Sequence, residues 1–153
     1  MSIDLYIQRI IEQQEQPSDA EILKWVKTAI GAHRSEVEMT IRITDKHEIQ
    51  YLNHEYRQKN KPTNVLAFPL EQHEDLPIPL LGDLVVCAEV IEEEAKEQNK
   101  DMIAHWAHII IHGTLHLLGY DHIEDKEAEE MESLETTLMQ QLGYNNPYAD
   151  DEI

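Results

Sequence analysis

One cysteine, Cys87, is the chain's whole supply of thiol. An intramolecular disulfide framework is therefore excluded, and the composition suits a reducing compartment. Long hydrophobic runs are missing too. Nothing in the 153 residues approaches the roughly 18 consecutive apolar positions that would span a bilayer. The opening stretch Met1 to Ile7 lacks a basic segment followed by an apolar run, so no signal peptide is expected and the chain reads as cytoplasmic. Repeats, low-complexity linkers and shifts of composition are likewise missing. A single domain over residues 1–153 is the expectation, long enough for one real core and too short for two.

Positive charge is scarce. Twelve Lys and Arg stand against 31 Asp and Glu, a net charge of −19. Long-range repulsion on that scale slows the approach of nucleic acid and of anionic membranes. The distribution qualifies the total. Acidic residues crowd Glu89 to Glu97 and the stretch from Glu124 to Glu152, whereas Arg57-Gln58-Lys59-Asn60-Lys61 is a local basic cluster.

What is present reads as alternating strands and helices. Ile3, Leu5 and Ile7 alternate with polar or amphipathic residues, as do Val37, Met39, Ile41 and Ile43, and both predict half-buried strands. Ser18 with Glu21, and Asp45 with Glu48, have capping-box form and open two helices, the second running to about Tyr56. Lys61-Pro62-Thr63-Asn64 predicts a loop. Val65–Phe68 and Leu84–Cys87 predict strands, with Pro69, Pro77 and Pro79 between them unsuited to a sheet interior. Helices are expected at Ala88–Gln98, at Met102–Leu118 and at about Lys126–Leu142. The middle one is the most apolar and should run through the core, with Trp106 and Trp25 as core residues. The pattern predicts an α+β fold: a small mixed sheet covered by helices, with a central apolar helix.

That helix carries the chemistry. In His112-Gly113-Thr114-Leu115-His116-Leu117-Leu118-Gly119-Tyr120-Asp121-His122, the first two histidines sit four apart. Residues so spaced lie one above the other, about 6 Å along the axis, and two imidazoles can converge on one metal ion. His105 and His108 share roughly that face and compete as ligands, but His108 and His116 are separated by about 12 Å of rise, too far for one ion. Gly119 can break the helix and let His122 return as the third ligand. Three protein ligands leave a fourth position for water, the arrangement of catalytic rather than structural zinc. Imidazole also suits nickel, copper and iron, so zinc is the first expectation and Ni²⁺ an alternative, one ion per chain. Asp121 can orient a ligand or serve as a cap.

The spacing matches the metzincin protease pattern H-E-x-x-H-x-x-G-x-x-H with one change: Gly113 stands where those proteases carry the general-base glutamate. Peptidase chemistry is thereby disfavoured. Together with Tyr56–Pro69 and Leu81–Cys87, the histidine segment resembles the YbeY family of bacterial endoribonucleases and rRNA maturation factors, over most of the chain. The resemblance implies a cytoplasmic, zinc-dependent RNase that prefers single-stranded RNA and acts in 16S rRNA 3′-end maturation and ribosome quality control. It implies His112, His116 and His122 as metal ligands and Arg57 as the functional arginine beside the cleft. Asn64 and Ala67 stand where Asp and Ser are frequent in the family. The expected reaction is RNA phosphodiester hydrolysis, with Arg57, His112 and His116 as catalytic residues. Two other readings stand beside it: a zinc peptidase of metzincin type, and a metal-binding ribosome-assembly factor without catalysis, whose acidic surface seeks basic ribosomal proteins.

Overall fold

A computed structural model of the chain describes residues 2–12, 15–31, 33–70, 79–120 and 124–148. The elements run β1 (Ser2–Arg9), α1 (Asp19–Ile30), β2 (Glu36–Thr44), α2 (Lys46–Arg57), β3 (Val65–Pro69), β4 (Leu80–Cys87), α3 (Ala88–Glu97), α4 (Met102–Leu117) and α5 (Asp125–Gln141). The four strands form one mixed sheet in the order β1-β2-β4-β3. The pairs β1/β2 and β2/β4 are parallel, while the edge strand β3 runs antiparallel to β4. The architecture is α+β, as the periodicities predict. Pro77 lies outside the described residues.

The local chemistry explains most boundaries. Ser18 accepts from the Glu21 backbone while Glu21 reaches back to the Ser18 amide, so the capping box opening α1 is complete. The second box is only half formed. Asp45 caps α2 through the Glu48 amide, but the Glu48 carboxylate is engaged by Arg42, which grips both its oxygens at 2.5 and 2.8 Å. A bidentate charge-assisted pair outcompetes a return bond to one amide. The Arg42 hydrogen bond also outweighs burial and holds the Glu48 carboxyl below its usual range.

One face of the sheet is sealed by α1 and α4. Ile22, Trp25, Val26 and Ile30 from α1 meet Met39, Ile41 and Ile43 from β2 and Trp106, Ile110, Ile111 and Leu115 from α4 in a single core. Each fully buried Ile or Leu contributes about 1.5–3 kcal/mol relative to exposure. Helix α4 packs against α1, β3, α3, α5 and β4, which is why it is apolar on nearly every side. A smaller cluster, Ile49, Leu66, Val85 and Cys87, fills the space under α2.

Candidate metal centre

The histidines of α4 occupy the one strip of that helix that is not wholly apolar. His112 and His116 are half-buried, their ring centroids 4.6 Å apart and their planes nearly perpendicular. Nε2 of one faces Nε2 of the other at 3.2 Å. Two nitrogens bound to one tetrahedral ion at about 2.0–2.1 Å sit about 3.3 Å apart. The pair as folded therefore fits a shared metal ion. Helix α4 then ends as expected: Gly119 adopts φ +107°, Tyr120 N–H reaches the Leu115 carbonyl at 3.0 Å and Gly119 N–H the His116 carbonyl at 3.0 Å. Those two bonds close the helix and turn the chain immediately after His116. Tyr120 is then tied by its hydroxyl to His33 Nε2 at 2.9 Å, just past α1. His122 and Asp121 lie outside the described residues.

Gly113 has a spatial reason. A Cβ at this position would stand 2.9 and 3.1 Å from the two methyls of Leu84 and 3.2 Å from Val65, so α4 can approach β4 and β3 only where a side chain is missing. The glutamate of the metzincin pattern would have to push Leu84 and Val65 aside to fit here.

The histidines read as competitors, His105 and His108, are bound elsewhere. His105 Nε2 pairs with Glu94 of α3 at 2.9 Å, and Asn64 donates to the same carboxylate at 3.1 Å. His108 Nε2 lies 2.6 Å from Oε1 of Glu135 in α5. That same oxygen is 3.2 Å from Nδ1 of His112 and accepts from the Tyr148 hydroxyl at 3.0 Å. Glu135 is fully buried. Burial opposes its ionisation, but the bonds from His108 and His112 outweigh it and hold the carboxyl at about 2. His108 is pushed the other way, below the usual imidazole range, chiefly by burial. Burial, together with the Glu135 charge, raises the Tyr148 phenol. An ionised, buried carboxylate at the meeting point of three hydrogen-bond partners is the state these directions describe.

Sequence reasoning missed Glu135 and Tyr148. The signal for Glu135 was there: it falls on the stripe of Met131, Leu138 and Met139 that α5 buries. A carboxylate inside an apolar stripe requires donors from a facing element. His108, His112 and Glu135 also bring three ligand atoms within 4.8 Å of one another, so this group can hold a metal ion as well.

Arg57 is the last residue of α2 and is exposed. Behind it the chain turns at Gln58, in the left-handed region at φ +57°. The buried Asn53 organises the loop beyond that turn: its side-chain amide donates to the Lys61 carbonyl at 2.9 Å, and its backbone carbonyl accepts from Lys59 N–H at 3.3 Å. The basic cluster is thus presented on a pinned loop. Ala67 is half-buried in β3.

The chain has known relatives in sequence and in fold. The solution structure of TM1509 from Thermotoga maritima is 28% identical, covers 92% of this chain and 88% of that one, and superposes with a TM-score of 0.61. The family described as Endoribonuclease YbeY matches residues 8–143, a span that holds the end of β1, strands β2 to β4 and helices α1 to α5. The chain belongs to the YbeY endoribonuclease family, which implies a nuclease that acts on RNA.

Proposed function

We propose that the protein is a cytoplasmic, zinc-dependent, single-strand-specific endoribonuclease that matures the 3′ end of 16S rRNA and serves ribosome quality control. The observation that carries the metal half of this reading is the 3.2 Å approach of the His112 and His116 Nε2 atoms. His112, His116 and His122 would hold one ion per chain, zinc first and Ni²⁺ second. Such an ion supplies Lewis-acid polarisation of a phosphoryl oxygen and lowers the pKa of a hydroxyl nucleophile, from water or from the ribose.

The chain's own residues do the rest. Arg57, exposed at the end of α2, offers a planar fork suited to a phosphate and to the charge that builds up during phosphoryl transfer. Lys59 and Lys61, on the loop pinned by Asn53, add an electrostatic track for an RNA backbone. Gly113 supports RNA over peptide as substrate, because the chain lacks at this position the proton acceptor of zinc peptidases, and a side chain there would crowd Leu84 and Val65. No helix among the described residues is long and apolar enough to cross a membrane.

A second reading is favoured by the net charge of −19. In it the protein is a ribosome-assembly factor that docks on basic ribosomal proteins, its metal site being structural. The two are separated by one paired measurement: metal content by mass spectrometry and cleavage of a single-stranded RNA, on wild type, His116→Ala and Arg57→Ala. The nuclease predicts about one zinc per chain, cleavage lost in both variants, and metal retained in Arg57→Ala. Stoichiometric zinc in wild type with equal residual cleavage in all three samples would reject it in favour of the assembly factor.

A further inference from the structure

Three donors converge on one oxygen. Oε1 of Glu135 lies 2.6 Å from His108 Nε2, 3.0 Å from the Tyr148 hydroxyl and 3.2 Å from His112 Nδ1. An ionised carboxylate can only accept hydrogen bonds, so each of these three partners donates. The consequence for His112 is specific. With its proton on Nδ1, a neutral imidazole has a bare lone pair on Nε2, and Nε2 is the atom that faces Nε2 of His116 at 3.2 Å.

We propose that Glu135 is the positioning residue of the metal centre, fixing the Nδ1–H tautomer and ring orientation of His112 so that Nε2 is presented to the ion. This rests on the reading of His112 and His116 as ligands. A metal-ligating histidine ordinarily has its other ring nitrogen bonded to such a carboxylate or to a carbonyl, which raises its basicity as a ligand. In this arrangement His108, 2.6 Å from the same oxygen, is a further donor to the carboxylate, and the rival arrangement, an ion held by His108, His112 and Glu135, is separated from it by the experiment below.

The carboxylate is itself held from outside the helix pair. Tyr148 is exposed, yet it delivers its hydroxyl to the buried Glu135. Its segment is folded on itself by Tyr148 N–H to Asn146 Oδ1 at 2.8 Å and fastened at two points, Thr136 Oγ1 to the same oxygen at 3.2 Å and Lys100 Nζ to the Pro147 carbonyl at 2.9 Å. The residues after α5 thereby act as a clasp on the metal centre from a part of the chain that contributes no ligand.

The test uses the full chain and zinc itself. Zinc affinity is measured by competition with a chromogenic chelator for wild type, Glu135→Gln, Glu135→Ala, Tyr148→Phe and His116→Ala. In parallel, long-range 1H–15N NMR of the metal-free proteins reads the His112 tautomer. Positioning predicts Nδ1–H in wild type, a mixed or Nε2–H tautomer in Glu135→Ala, and zinc binding weakened about 10- to 100-fold at unchanged stoichiometry. Glu135→Gln, which keeps an acceptor oxygen, should retain the tautomer and part of the affinity. Tyr148→Phe should weaken zinc by less than Glu135→Ala. Wild-type affinity in a folded Glu135→Ala, with His116→Ala unable to bind, would overturn the positioning role and leave the ligand assignment intact. Zinc retained by His116→Ala but lost by Glu135→Ala would overturn both, placing the ion on His108, His112 and Glu135.

Discussion

At the scale of single residues, the decisive position is one without a side chain. Gly113 ordinarily costs a helix interior about 1 kcal/mol relative to alanine. Here the sign reverses, because a Cβ would press on Leu84 and Val65, and Leu84 is fully buried and has nowhere to retreat. Gly113→Ala is therefore expected to lose about 1–3 kcal/mol of stability, the usual cost of overpacking, despite better helix propensity. Urea unfolding checks this, and a stabilised variant would show that the close approach of α4 to β4 is not required. The sequence could tell that Gly113 replaced a glutamate but not why, since the reason is a contact with residues 29 and 48 positions earlier. His112 and His116 were legible because their relation is set within one helix. For Glu135 the burial was legible from its stripe but the role was not, because its partners come from α4 and from Tyr148.

At the scale of elements, the boundaries were largely readable because capping and periodicity are local. The second capping box shows the limit: Glu48 had the right spacing, yet a neighbouring strand held an arginine that wanted it more. The seam joining β3, α3 and α4 was invisible for the same reason. There Asn64 donates to both oxygens of Glu94, at 3.1 and 3.4 Å, and Glu94 accepts from His105 at 2.9 Å. Burial works against the charge on Glu94, but the bonds from His105 and Asn64 prevail and bring its carboxyl below the ordinary 4.5. A carboxyl whose folded value is depressed adds stability in full above its unfolded value, and loses that contribution as pH falls through the folded value. Asn64→Asp removes the donor and sets carboxylate against carboxylate. It should cost about 1–3 kcal/mol at pH 7, the penalty for a partly buried acceptor deprived of its partner. The cost should shrink at about pH 4, where the pair can share a proton. Equal losses in urea at both pH values would mean that repulsion at Glu94 is not the cause.

For the whole molecule, the question is how a chain of net charge −19 handles a polyanion. Screening acts over about 8 Å at physiological ionic strength, so at contact the local charges matter more than the total. Arg57, Lys59 and Lys61 are the cations gathered at the end of α2. If those three meet phosphates, the binding constant for single-stranded RNA should fall with salt on a log–log slope no steeper than about −2. Screening of the overall repulsion should flatten it further. Filter binding between low salt and about 0.3 M tests this, and a slope near about −4 would require a basic surface that the sequence does not supply. Net charge was fully legible in the sequence, whereas the presentation of its few cations depends on the buried amide of Asn53.

The bond between Tyr120 and His33 has an experimental use. Tyr120 stands in the turn that leaves α4 four residues after His116, and its hydroxyl reaches an imidazole that is open to solvent beside the end of α1. The other nitrogen of that ring is anchored on the Ile30 carbonyl at 2.9 Å. A rearrangement of the turn on zinc loading would reach this ring, which lies outside the proposed ligand set. His33 is then expected to serve as a native spectroscopic beacon: its ring resonances should shift as zinc is added, and resonances that stay put would show that the turn holds still.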